Sequence, residues 1–413
     1  MSTSLQDFSA ETVLNPNSTH TDWLDPAEVE ELTAETVLAR LRGLTETIAA
    51  RANETERLRR VPEDLWSEIR RTGVFYLFVP KRYGGMEHGS LETFIDLLVI
   101  LGAACGSTAW CTGLAVQQQF LIGQFSQRFK EEMWGRRPYV TSAGSGFPPG
   151  TAGRVDGGFV LGGRWKWCSG IMNADSANVG ALVQEPDSPP VPHVFYIPIE
   201  DVTVLDTWHV DGVCGSGSHD IAVEGLFVPE HKAMEFRRIT TGQPHHENPF
   251  YRLPGALLLA FSTAAPALGV ARGGLEAYRR RVTGGTGTRK LADSAIVHKD
   301  FGAAIIDVDT AELLLRATAA ELTGLVRTRE PVPLEDRIRL RSQIARSANL
   351  CREAVRSIAD VAGSSAHFLS DPLQRIVRDI NVMTSHATLD LPAATELSGR
   401  IELGLESNHP WFR

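Results

Sequence analysis

The sequence predicts an α+β chain in three parts: an N-terminal helical domain, a middle antiparallel β-barrel or sandwich, and a C-terminal four-helix bundle. Three observations predict it. Apolar residues recur at helical spacing through the first third, with Pro at helix starts and Gly at helix ends. From 137 to 236 the texture changes to short apolar runs broken by Gly, Pro and Asp. From about 257 long helical stripes with short connections return.

Residues 1–25 are polar and rich in Ser, Thr and Asn, and read as a disordered tail without the basic and apolar regions of a secretory signal. The helical domain, 26–136, opens with Asp25 as cap, Pro26 in the first turn and Glu28 as the far half of a capping box. Val29, Leu32, Val37, Leu38, Leu41 and Leu44 then form one helical stripe. Further helices are expected from Pro62 to Gly73 and at about 90–105, 107–122 and 126–135, with Ser107 or Thr108 as a cap. In the β domain, 137–236, Asp156-Gly157-Gly158 is a hairpin-type turn between strands Thr151–Val155 and Phe159–Trp167. Ala177–Gln184, Val194–Pro198 and Ile221–Val228 read as further strands. The bundle, 245–413, is expected as helices at 257–281, 292–328, 334–362 and 373–399, with a Gly/Thr-rich loop at Gly284 to Thr288.

Composition excludes some partners. A formal net charge of −9 gives no basic excess for nucleic acid or an anionic membrane surface. The longest apolar runs, Leu97 to Cys105 and Ala256 to Ala265, fall short of the roughly 20 residues of a membrane span. Five scattered cysteines without a Cys-x-x-Cys pair suit free thiols in a reducing cytoplasm. There is no Gly-x-Gly-x-x-Gly opening a helix, no phosphate loop, no metal-ligand spacing and no Gly-x-Ser-x-Gly elbow.

Four stretches could carry chemistry. Gly163-Arg-Trp-Lys-Trp-Cys-Ser-Gly170 ends a strand; its two indoles are expected on opposite sides, one walling a planar cofactor and one in the core, with Ser169 placed to hydrogen-bond a ring nitrogen. Core tryptophans and a turn serine are the simpler alternative. Gly106-Ser-Thr-Ala-Trp110 joins two helices and turns Trp110 inward. The loop from Asp206 to Asp220 is dense in glycine, and its His209 and His219 read as structural. On the last helix Arg375, Arg378, Asp379 and His386 are expected along one face, with His386 either a general base or a hydrogen-bonded core residue.

Taken in order, these pieces resemble the acyl-CoA dehydrogenase fold. Their wording resembles its monooxygenase branch, the oxygenase components of two-component flavin systems such as the p-hydroxyphenylacetate 3-hydroxylases. The matching pieces also include Val79-Pro80, Tyr83-Gly84-Gly85, Phe147-Pro-Pro-Gly-Thr-Ala152, Gly215-Ser-Gly-Ser-His-Asp220, Val228-Pro229 and Pro266-Ala-Leu-Gly-Val-Ala-Arg272. The resemblance implies reduced FMN or FAD, held non-covalently and supplied by a separate NAD(P)H:flavin reductase. It implies O2 as co-substrate, a C4a-hydroperoxyflavin, hydroxylation of a small aromatic or polycyclic substrate, and a homotetramer. Trp110, Ser142 or Ser145, Trp167 and Ser169 would line the flavin; Arg281 or Arg289 would meet its phosphate; His386 would sit beside the substrate. Where phenol hydroxylases of this group carry a second histidine, this chain has Gln118, which orients a polar group but is no base. The Glu-Gly-Thr turn that gives the dehydrogenases their catalytic Glu does not follow Arg378-Asp379. An amino-sugar N-hydroxylation and an acyl-CoA dehydrogenase-like oxidation are the alternative activities.

Overall fold

A computed structural model describes residues 12–16, 20–184, 189–243, 246–284, 293–328, 330–409 and 412, and not the side chains of 147–149. Seven helices build the first part: α1 (Pro26–Glu31), α2 (Ala34–Ala50), α3 (Ala52–Leu58), α4 (Glu63–Arg71), α5 (Leu91–Ala104), α6 (Gly106–Gln124) and α7 (Gln127–Trp134). The single first helix expected is two. Leu32 turns extended and Thr33 caps a new start, its Oγ1 accepting from the Thr36 N–H at 3.1 Å. Asp25 caps α1 as expected, but Glu28 closes no box and pairs with Arg40 at 2.8 Å. Ser107 and Thr108 do not cap α6: Cys105 takes the cap position, and both hydroxyl residues lie buried inside the first turn.

Eight strands follow the order β1-β6-β7-β3-β2-β4-β5-β8 in one sheet. They are β1 (Val13–Leu14), β2 (Ser142–Val155), β3 (Gly158–Trp165), β4 (Ser176–Gln184), β5 (Val191–Pro198), β6 (Thr203–Leu205), β7 (Asp220–Pro229) and β8 (Ala233–Glu235). Asp156-Gly157 makes the two-residue hairpin between Val155 and Gly158, with Gly157 at φ +75°. The sheet is not wholly antiparallel, because β2 and β4 run parallel, with an irregularity between Ser145 and Gly150. Nor is the described part of the tail disordered: Val13 and Leu14 pair with Leu205 and Val204, and His20 lies 3.0 Å from Asp22.

The third part holds α8 (Phe236–Thr241), α9 (Gly255–Gly284), α10 (Ala295–Leu325), α11 (Leu334–Asp360), α12 (Pro372–Thr384) and α13 (Leu391–Glu402). The fourth bundle helix is therefore broken. It stops at Thr384, and His386 caps a short turn, Ala387–Leu389, before Asp390 caps α13. Most of the Gly/Thr loop after Gly284 lies outside the described residues. α9 is long and apolar enough to cross a membrane, which the run-length reading did not register. However, 83% of its most apolar stretch is buried inside the protein, as the central helix of a bundle requires. It meets α5 closely enough that a Cβ on Gly269 would come 2.6 Å from the carbonyl oxygen of Val99. The two helical parts, 100 residues apart in sequence, share one apolar core, whereas the β domain has its own around Trp165, Val179 and Phe195.

Candidate active site

Three segments converge where α6 begins: the turn after β3, the glycine-serine loop before β7, and the break between α12 and α13. Two backbone bonds join the first pair of loops, Gly170 N–H to the Ser216 carbonyl at 2.7 Å and Cys168 N–H to the His219 carbonyl at 3.1 Å. Gly217 takes a left-handed turn at φ +50°, and a Cβ on Gly215 would lie 2.4 Å from Thr55 Cγ2, so this loop presses directly on α3.

Asp379 anchors the loop from the other side. Its Oδ1 accepts the Val213 N–H at 2.6 Å, and burial pushes its carboxyl up to about 6 despite Val213 and the nearby Arg375 and Arg378. Arg378 turns away to Glu56 at 2.8 Å. The Arg-Asp pair thus ties the bundle to the loop and to α3.

At the centre, the Trp110 indole N–H donates to Ser169 Oγ at 3.1 Å. Ser169 Oγ lies 2.7 Å from Ser218 Oγ, which lies 2.7 Å from Ser216 Oγ. If Ser216 donates to Ser218 and Ser218 to Ser169, both lone pairs of Ser169 are occupied and its own proton is free to point outward. Ser216 and Ser218 were not singled out in the sequence, although the Gly-Ser-Gly-Ser alternation already put both on one side of that loop.

The two indoles do part company, for a reason other than strand alternation. Two residues apart on an unbroken strand they would share a face. The strand ends at Trp165, which is fully buried with its N–H on the Gly180 carbonyl at 2.7 Å. Trp167 then adopts φ +63°, rare for a bulky side chain, and leaves its indole 69% exposed.

The Trp110 ring meets His386 edge-on, with centroids 5.6 Å apart. His386 does not continue the Arg375–Asp379 face of α12, because the helix has ended. Its Nδ1 accepts the Thr388 N–H at 3.3 Å and lies 2.8 Å from Thr388 Oγ1, which lies 2.9 Å from Thr263 Oγ1 on α9. Burial alone pushes its imidazole down to about 4, so it is neutral near neutrality. His219 is structural, as read: its Nδ1 accepts from the Thr207 and Trp208 N–H groups, and burial pushes it down to about 4.

Other expected residues are placed differently. The Oε1 of Gln118 takes hydrogen bonds from Asn178 and from the Tyr196 hydroxyl at 2.9 Å, both in the β domain. Its neighbour Gln117, seven residues after Trp110 and so on the same side of α6, bonds Ser262 on α9 at 2.6 Å. Ser142 is buried against Ser176, while Ser145 stays half-buried beyond it. Arg281 is held by Asp371 at 2.6 Å and the Ala362 carbonyl at 2.9 Å; Arg289 lies outside the described residues. Two surface depressions lie elsewhere, beside Gly404 to Ser407 and beside α8.

These residues fit a flavin. The exposed indole of Trp167 offers a flat apolar wall, and two residues on, Ser169 offers an orientable hydroxyl.

Known proteins resemble this chain over most of its length. The N-terminal and C-terminal domains of acyl-CoA dehydrogenases match residues 33–131 and 261–391. A pigment production hydroxylase of Rhodococcus sp. is 32% identical over 388 residues, 92% of this chain and 99% of that protein. The flavin-dependent monooxygenase oxygenase subunit HsaA of Rhodococcus jostii is 32% identical, covering 89% and 98%. The structure of XiaF from Streptomyces sp., solved with FADH2 and glycerol, superposes with a TM-score of 0.86 at 26% identity, covering 93% and 98%. The chain belongs to the flavin-dependent monooxygenases of the acyl-CoA dehydrogenase fold, as an oxygenase component. It is an oxidoreductase that uses flavin, and its reductant comes from a separate reductase.

Proposed function

We propose that this oxygenase hydroxylates a small aromatic or polycyclic substrate, using reduced FMN or FAD delivered by an NAD(P)H:flavin reductase. Relatives named as hydroxylases support that substrate class. The bound reduced flavin supplies the activation of O2. The chain's own residues do the rest. Trp167 walls the flavin ring, and Ser169 directs its free hydroxyl proton at a ring nitrogen, backed by Trp110 and Ser218. Trp110 and Cys111 are buried against the loops at 168–170 and 213–218, which leaves the half-buried Ser169 hydroxyl facing outward, where a bound flavin would cover it from water. His386, against Trp110, orients the substrate.

The observation that carries this reading is Trp110, which touches both Ser169 and His386 and so places the flavin-side hydroxyl and the substrate-side imidazole around one ring. The test is Ser169→Ala with reduced flavin, O2 and a candidate aromatic. H2O2 released per reduced flavin consumed should rise while product falls; unchanged coupling rejects the role of Ser169.

A homotetramer in the cytoplasm completes the proposal. Ile306 and Leu313 on α10, seven residues apart, and Phe368-Leu369 are exposed apolar side chains that a second copy would cover. The five buried free thiols suit a reducing compartment. Light scattering of the purified protein tests the assembly, and a monomeric mass overturns it.

A further inference from the structure

His386 has been given two possible roles, base or orienting group, and the hydrogen bonds around it choose between them. A backbone N–H can only donate. The Thr388 N–H points at Nδ1, so Nδ1 carries the lone pair. The Thr388 hydroxyl, 2.8 Å from the same nitrogen, then donates to it too. With its single proton spent there, Thr388 Oγ1 is an acceptor for Thr263 at 2.9 Å, which shares its proton with the Ala260 carbonyl, also at 2.9 Å. The chain runs Thr263 to Thr388 to Nδ1. A neutral imidazole with its lone pair on Nδ1 carries its proton on Nε2. Nε2 has no protein partner among the described residues, on a side chain that is half-buried and not sealed. Burial keeps the ring neutral, and no charged group contributes to that preference.

We propose that Thr388, backed by Thr263, locks His386 as a hydrogen-bond donor through Nε2–H, so that the site takes its substrate by an acceptor oxygen, a phenolate or a ring carbonyl. In that tautomer Nε2 has no lone pair with which to remove a phenolic proton. His386 therefore takes no proton from a hydroxyarene, and its donor favours the ionised form, or a substrate that presents a carbonyl. Gln118, the residue standing where a second base is expected, is also unable to take a proton and is already bonded to Asn178 and Tyr196. Thr388 is a positioning residue, acting through His386. The inference rests on the proposed place of His386 beside the substrate.

The test needs no turnover. p-Nitrophenol changes colour on ionisation, and its apparent pKa is read by pH titration with and without excess full-length protein. Binding should lower that pKa by about one unit, a roughly tenfold preference for the anion. His386→Phe should abolish the shift, Thr388→Val should reduce it, and Thr388→Ser should restore it. A raised pKa that disappears in His386→Phe leaves His386 beside the substrate but makes it an acceptor, which overturns the donor role alone. A lowered pKa that His386→Phe does not change overturns the placement of His386 as well. No spectral change at millimolar probe counts against the inference.

Discussion

Replacing Asp379 by Asn should stabilise the protein at neutral pH and not in acid. Asp379 is 4% exposed, and its Oδ1 accepts the Val213 N–H at 2.6 Å. That bond holds Val213 at φ +51°, a conformation that costs a β-branched residue on the order of 1–3 kcal/mol. An amide keeps an oxygen for this bond and removes the charge. Burial raises the carboxyl from 3.8 to about 6, overcoming the opposing pull of Val213, Arg375 and Arg378. Two units at about 1.4 kcal/mol each make the ionised form about 3 kcal/mol less favourable in the folded protein than in the unfolded chain. Because the folded pKa is the higher one, the contribution of Asp379 is fully present below about pH 4 and is lost as pH rises through about 6. The advantage of Asp379→Asn over the wild type should therefore grow by about 3 kcal/mol from about pH 4 to about pH 7. His219, His386 and His409, all pushed down to about 4 by burial, act in the opposite sense. Their contribution is present above about 6.5 and is lost as pH falls toward 4, equally in both proteins, so it cancels in the difference. Paired urea titrations at several pH values measure it. A flat difference, or an advantage that shrinks as pH rises, would refute the reasoning and mean that Arg375 and Arg378 hold the carboxylate ionised.

Gly215→Ala should lower the melting temperature, with overpacking of about 1–3 kcal/mol, since its Cβ would lie 2.4 Å from Thr55 Cγ2 and 3.0 Å from the Thr55 carbonyl oxygen. An unchanged melt would show that the loop moves off α3 freely. Trp110→Phe keeps the ring against His386 but deletes the donor to Ser169, worth about 1 kcal/mol; uncoupled H2O2 should rise in a protein that melts close to wild type. Gln118→Leu strands the Asn178 amide and the Tyr196 hydroxyl in the β domain, at about 1–3 kcal/mol for each. It should lower stability while leaving KM for the aromatic substrate little changed, and the reverse pattern would put Gln118 back in the pocket.

Much of the architecture is written locally. The Asp156-Gly157 turn, the cap at Asp25, the Pro62 start and the Gly73 stop each depend on residues a few positions apart, and each appears where the sequence puts it. The order of the motifs along the chain was enough for the family and, through it, the flavin. Short-range signals failed where two of them competed. Thr33 is as good a cap as Asp25, so the first helix is cut in two. The α12 periodicity carries on through Ser385 and His386, but the helix stops at Thr384 and the His386 side chain caps a new turn by accepting the Thr388 N–H.

The site itself was decided by packing. Trp110 and Ser169 lie 59 positions apart, Thr263 and Thr388 lie 125 apart, and Val213 and Asp379 lie 166 apart. No periodicity spans such distances. Sequence alone marked Ser169 and His386 as residues of interest. Only the fold shows that one indole joins them, that the Gln118 oxygen is bonded to the β domain, and that Thr388 bonds Nδ1 of His386, because hydrogen-bond partners are set by the neighbours that tertiary structure brings together.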